Sequence, residues 1–254
     1  MRLKLTLQIQ RKENGGEIPI NYQYQLHSAI FKILSSCDPK YSLWLHDHGY
    51  NQEGKRFKMF TFSNLIVPCD VDKNKKKLIP KRDQALLYIG FIDENASKTF
   101  LKGALHKGTI LIADKYSGLE FRIVEVQMLQ PLDYRPDKIY KTLSPICVSH
   151  RNELGKMDYL SPEDSRYEQG LLTGLISRYS ALYGHPYEEE KYCRMEIVGQ
   201  IKSRLITIKE GTPEQTRVRG YSYMFKIDLP PKLMEIAYNG GLGEKGSMGF
   251  GMIG

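Results

Sequence analysis

The chain is 254 residues long, 41% hydrophobic and 26% charged, a balance that supplies a packed core and excludes an intrinsically disordered chain. Lys and Arg number 37 against 29 Asp and Glu, a formal net charge of +8, which favours a polyanionic partner, either nucleic acid or an acidic membrane surface. No apolar run approaches the roughly 20 residues of a membrane-spanning helix. Cys37, Cys69, Cys147 and Cys193 form no CxxC pair, so neither a disulfide framework nor a cysteine zinc site is expected. The opening MRLKLTLQIQRKENGG has no apolar core of signal-peptide length, and a cytoplasmic protein is expected.

Residues 3–9, LKLTLQI, alternate with the period of a half-buried strand. Gly15, Gly16 and Pro19 then punctuate a loop. From Tyr22 to Leu34 the apolar residues Leu26, Ile30, Ile33 and Leu34 keep helical spacing, with Cys37 extending the stripe. A short helix, Tyr41 to His48, is predicted after Pro39, followed by a strand over FKMFTFS, 57–63. Segment 70–83 carries six basic and three acidic residues around a proline and reads as an exposed loop. Next come a strand at 86–93, a helix near 94–106 and strands at 109–114 and 119–129, an order close to the split βαβ of a ferredoxin-like domain.

Pro131 and Pro136 bracket a predicted linker. The pattern then restarts with a strand at 139–148, a polar loop, and a helix from about Pro162 to Leu182 with Ser161 as N-cap. Strands are predicted at 193–199, 204–208 and 217–229, and a short helix from Pro230. The expected architecture is therefore α+β, with two tandem ferredoxin-like (RRM-like) domains over 1–130 and 138–254. Tyr221, Tyr223 and Phe225 alternate along one strand; such a row can stack bases or fill a core, and the core is favoured.

The glycine-rich end, Gly241-Leu-Gly243-Glu-Lys245-Gly-Ser247-Met-Gly249-Phe-Gly251, is the most specific feature. It is no Walker loop, since Lys245 precedes Gly246, and no Rossmann fingerprint, since only three residues follow Gly251. Glycines let backbone N–H groups approach an anion, so Gly241, Gly243, Lys245, Ser247, Gly249 and Gly251 are candidate phosphate contacts. A tight turn before a terminal strand is the alternative. Lys73, Lys75, Lys76, Lys77, Lys81 and Arg82 form a further basic run, of the kind that is usually just solvated.

GLGEKGSMGFG resembles the C-terminal GhGxxxxxGhG motif (h apolar) of the repeat-associated RNA-binding proteins of CRISPR systems. IPINYQYQLHSAIFKIL, YSLWLHDHGY, KRFKMFTFS and TLSPICV, in that order, are similar to the Cas six family, the repeat-processing endoribonucleases among them. The resemblance implies tandem ferredoxin-like domains binding RNA in a basic cleft. It also implies cleavage of CRISPR precursor RNA within the repeat, leaving a 2′,3′-cyclic phosphate and a 5′-hydroxyl, with no metal and no other cofactor. The partners it implies are CRISPR repeat RNA and, beyond it, effector-complex proteins or a second copy of the chain.

Metal-free RNA cleavage needs a base for the 2′-hydroxyl, an acid for the departing 5′-oxygen and a cation for the phosphorane charge. The resemblance matches the family's catalytic histidine to His46 and its lysine to Lys58. His48 reads as solvated, and His46-Asp47-His48 is weak as a metal site. Some members carry a tyrosine in the first helix where this chain has Phe31, which has no proton to give. His27 lies one i,i+4 step earlier, with Tyr24 three residues before it, so Tyr24, His27 and Phe31 share a face. His27 is therefore the candidate for the vacated role, its alternative being a partly buried helix histidine. Rival readings are a non-catalytic relative that holds guide RNA, and an RRM-type module with no CRISPR role.

Overall fold

The computed structural model describes residues 1–11, 16–131 and 133–254; Gly15 of the predicted first loop and Leu132 of the predicted linker lie outside them. The first half runs β1 (Arg2–Gln10), β2 (Ile18–Pro19), α1 (Gln23–Cys37), α2 (Pro39–Asp47), β3 (Tyr50–Gln52), β4 (Lys55–Phe57) and β5 (Phe60–Phe62). It continues with β6 (Cys69–Asp72), β7 (Lys77–Pro80), β8 (Gln84–Phe91), α3 (Glu94–Lys107), β9 (Thr109–Ala113) and β10 (Gly118–Met128). Five strands form an antiparallel sheet in the order β5-β8-β1-β10-β9. Taken as β1-α1-β5-β8-α3-β10, the path is ferredoxin-like, with β9 added at one edge.

The alternation of β1 puts Leu3, Leu5, Leu7 and Ile9 into the core against Ile30, Ile33 and Leu34 of α1 and Phe100 of α3. Each such buried side chain contributes about 1.5–3 kcal/mol relative to exposure. Local signals start the helices. Asp38 accepts from the Tyr41 amide with Pro39 following, and Asp93 accepts from the amides of Asn95 and Ala96.

Two expectations fail in this half. The predicted strand 57–63 is split, because the chain turns at Met59, which has a left-handed φ of 54°. Its first part pairs with β3 and its second joins the main sheet. Strand β5 does not alternate either: Met59 to Ser63 are all buried, since both faces are covered. Segment 70–83 is not a loop. It forms the β6–β7 hairpin, joined by β2 in a three-stranded sheet, with the Asp72 carboxylate accepting from the Lys75 amide at the turn.

The second half contains β11 (Tyr140–Lys141), β12 (Ser149–Arg151), β13 (Met157–Tyr159), α4 (Tyr167–Tyr183), β14 (Arg194–Ile208), β15 (Thr216–Asp228) and α5 (Pro231–Gly240). The sheet order is β11-β15-β14. The chain end lies beside β11, with Ile253 bridged to Thr142, which completes a second ferredoxin-like order. The predicted strand 139–148 shrinks to β11 plus isolated bridges at Thr142 and Ile146. The two predicted strands at 193–199 and 204–208 are one long strand with an irregularity between Val198 and Lys202. Helix α4 starts later than predicted: the Asp164 carboxylate holds the Arg166 amide and guanidinium in a tight turn, so Ser161 opens that turn and not the helix.

The two halves are pinned together. The buried Arg2 donates to the Ile253 and Tyr238 carbonyls, and the Asn64 amide donates to the Leu143 carbonyl at 2.8 Å. The β14–β15 turn reaches back to the first half, where Glu210 accepts from Asn21 at 3.0 Å and from Lys76 at 2.8 Å.

Candidate active site

Helix α1, the end of α2, the break between β4 and β5, and the glycine-rich loop converge at one place. The spacing of α1 sets Tyr24, His27 and Phe31 in one row, with ring centroids 6.1 Å (Tyr24–His27) and 4.9 Å (His27–Phe31) apart. Phe31 in turn meets the His46 ring edge-on at 5.2 Å. His27 and His46, 19 positions apart in the chain, thus both touch one phenyl ring.

His27 is only 5% exposed. Its Nδ1–H donates to the Ser247 carbonyl at 2.6 Å; a carbonyl can only accept, so in the neutral ring Nε2 holds the free lone pair. Burial pushes the His27 pKa down to about 4, against an opposing pull from the Ser247 bond and with the charges of His46, Lys58 and Lys209 adding to the fall.

His46 lies in the last turn of α2 and is exposed. Its Nδ1–H donates to the Asp47 carboxylate at 2.7 Å, leaving Nε2 open. That hydrogen bond is the main reason the Asp47 carboxyl is held below its usual range. Lys58 donates through Nζ to the His46 carbonyl, and Arg56 donates to the Asp47 carbonyl at 2.7 Å. Both cations thus satisfy carbonyls at the C-terminal end of α2, where cations are electrostatically favoured. Partial burial lowers the Lys58 pKa, and the neighbouring Arg56 lowers it further. Lys58 lies in the two-residue turn between β4 and β5, outside both strands. From the sequence Asp47 is read only as part of a weak metal site, and Arg56 is not singled out; the acid directly after His46 and the base two residues before Lys58 are the available signals.

The glycine-rich loop packs against the first half and wraps the edge strand β5. Gly241, Gly243, Gly249 and Gly251 all have φ between 77° and 93°. At Gly243 a Cβ would lie 2.5 Å from the Cys147 carbonyl oxygen, and at Gly249 it would lie 2.5 Å from the Phe62 ring. The Thr61 hydroxyl donates to the Phe250 carbonyl at 2.9 Å. Arg178 of α4, buried and with its pKa pushed down to about 10 by that burial, donates to the carbonyls of Gly240, Gly241 and Gly243. Packing thus accounts for these glycines. Lys245 is exposed on the loop, and Ser247 is half-buried with its carbonyl turned to His27.

Elsewhere, Tyr223 and Phe225 are core residues and Tyr221 is half-buried. Lys76, Lys77 and Lys81 of the basic run pair with Glu210, Glu17 and Asp70. His48 caps α2 through its amide. Among the described residues, no three His, Cys, Asp or Glu side chains gather as a metal site needs, and no helix is long and apolar enough to cross a membrane.

Residues 17–127 match the family model described as CRISPR-associated protein Cas6, N-terminal, and residues 129–254 match CRISPR associated protein Cas6, C-terminal. The chain is similar to the CRISPR-associated endoribonuclease Cas6 1 of Methanocaldococcus jannaschii, at 30% identity over 100% of this chain and 92% of that protein. It is also similar, at 25% identity over 99% of this chain and 98% of the other, to a CRISPR-associated endoribonuclease-like protein Cas6 of Pyrococcus furiosus. A solved structure for a Cas6-related gene of Pyrococcus furiosus superposes with a TM-score of 0.82 and 25% identity, covering 100% of this chain and 97% of that one. With both halves matched in order and a full-length relative at this identity, the chain belongs to the CRISPR-associated Cas6 family.

Proposed function

We propose that the protein is an endoribonuclease that cuts CRISPR precursor RNA within the repeat, by attack of a 2′-hydroxyl on the adjacent phosphate and without a metal ion. The observation that carries this reading is the shared contact of His27 and His46 with Phe31, with Lys58 bound to the backbone of His46. Two titratable rings with opposed environments are what acid–base division of labour requires. His27, held neutral by burial, takes the 2′-hydroxyl proton on Nε2. The 2′-oxygen then bonds to phosphorus and the bond to the 5′-oxygen breaks. His46, oriented by Asp47, gives its Nε2 proton to that oxygen. Lys58 supports the charge on the phosphorane oxygens. Lys245, exposed on the glycine-rich loop, holds an RNA phosphate at the same junction.

The test is cleavage of repeat RNA carrying a single 2′-deoxy nucleotide before the scissile phosphate. Uncut modified RNA, with a 2′,3′-cyclic phosphate and a 5′-hydroxyl on the products of unmodified RNA, is the expected result. Cleavage of the deoxy substrate overturns the 2′-hydroxyl route. The rival reading, a relative that holds RNA without cutting, rests on Phe31 standing where some members have a phenol; complete absence of products from unmodified RNA would favour it.

A further inference from the structure

Resting on the reading of His27 as the base, we propose that the glycine-rich loop is a positioning device as well as an RNA contact. Through the Ser247 carbonyl, the second domain sets the tautomer and orientation of His27 in the first domain, and Arg178 and Thr61 hold the loop where it can do so.

Three sets of contacts support this. The first is the 2.6 Å bond from His27 Nδ1 to the Ser247 carbonyl, which joins residues 220 positions apart. Of the groups on α1, none competes for that nitrogen: its neighbours there are the rings of Tyr24 and Phe31. The second is the close fit of the loop on β5. A Cβ at Gly246 would lie 2.9 Å from the Phe60 carbonyl, one at Gly241 would lie 3.1 Å from the Thr61 side chain, and one at Gly249 would strike the Phe62 ring. The third is the pair of anchors. Arg178 of α4 binds two loop carbonyls, those of Gly241 and Gly243, and the Gly240 carbonyl at the end of α5, and the Thr61 hydroxyl binds the Phe250 carbonyl. Ser247 has no freedom to slide along α1 while these contacts stand.

The chemical consequence follows from the two ring nitrogens of histidine. A ring protonated at Nδ1 offers a lone pair only at Nε2, and a ring of the other tautomer offers it only at Nδ1, facing the loop. A carbonyl at hydrogen-bond distance from Nδ1 selects the first. The same contact ties the chemistry to correct apposition of the two domains: when the loop leaves β5, His27 loses its orienting partner. The charged groups that bear on His27 are His46 of α2, Lys58 of the β4–β5 break and Lys209 of the β14–β15 turn, all basic. The two ammonium groups cannot accept from Nδ1–H, and the group at hydrogen-bond distance from that nitrogen is the Ser247 carbonyl, so Ser247 is the selecting partner.

The experiment is ¹⁵N NMR of histidine-labelled full-length protein without RNA, paired with single-turnover cleavage at saturating repeat RNA. Wild type and S247A should both show His27 protonated at Nδ1 and free at Nε2, since S247A keeps the backbone carbonyl. Thr61→Val, nearly isosteric, and Gly249→Ala should mix the tautomers and slow cleavage by about 10²-fold, the scale of a misplaced catalytic group. Thr61→Val keeps the test informative should Gly249→Ala fail to fold. An Nε2-protonated His27 in wild type, or an unchanged tautomer and rate in both loop variants, overturns the proposal. If the tautomer behaves as stated while His27→Ala cuts at the wild-type rate, the failure lies in the role of His27 as base and the loop's hold on the ring stands.

Discussion

The phenyl ring of Phe31 meets the imidazole of His46 edge-on at a centroid separation of 5.2 Å, and its centroid lies 4.9 Å from that of His27. Phe31 is thus the spacer between the two histidines, and a phenol at that position would place a hydroxyl among them. In a His27→Ala background, where cleavage should fall by roughly 10²-fold or more, Phe31→Tyr is expected to regain about tenfold, measured under single-turnover conditions. No gain in the double variant would show that the ring position cannot support proton transfer.

The buried His27 links cleavage and stability to pH in the same direction. Its usual pKa is near 6.5 and its value in the folded protein is about 4, so between those values the unfolded chain binds a proton that the native state refuses. Stability is therefore full above about pH 6.5, is lost as pH falls towards 4, and changes no further through this group below that. The gap corresponds to about 3 kcal/mol. Urea titrations at pH 7 and pH 4 should show this loss, and His27→Gln should lack most of it. The acid limb of the cleavage rate should fall near pH 4, where the base becomes charged; a limb near 6.5 would place His27 outside the reaction.

Glycine and lysine substitutions in the terminal loop should separate folding from RNA affinity. Gly243→Val forces a β-branched residue into a φ of +84° with a Cβ 2.5 Å from the Cys147 carbonyl. The strained backbone alone costs about 1–3 kcal/mol, a fall in Tm of about 2–12 °C for a chain of this size. Lys245→Ala should leave Tm unchanged and reduce the slope of log affinity against log salt by about 0.7, one phosphate contact on single-stranded RNA. Equal salt slopes for Lys245→Ala and wild type would remove Lys245 from the interface.

Much of this was legible in the chain itself. The 3.6-residue spacing of α1 predicts that His27 and Phe31 share a face, and the alternation of β1 predicts its buried leucines. What sequence could not reveal is what comes to lie against those faces. His27 is buried partly because Ser247, 220 positions away, covers it. The strand through Lys58 is broken by Met59, a residue whose side chain gives no warning of a left-handed φ. The charge of segment 70–83 hid a hairpin whose lysines are largely paired with nearby acids. The glycines of the terminal motif read as an anion cradle, and their close approach to β5 became visible only in the folded chain.

The central claim, that His46 performs proton transfer in a metal-independent cleavage, is tested most directly by comparing wild type with His46→Ala on repeat RNA in EDTA. Single-turnover cleavage and RNA binding are measured together. The account predicts that wild type cuts in EDTA, and that His46→Ala binds with similar affinity and cuts about 10²-fold more slowly or worse. Equal cleavage by the two proteins would contradict it by removing His46 from the chemistry, and loss of wild-type cleavage in EDTA would contradict it by returning His46, Asp47 and His48 to the role of metal ligands.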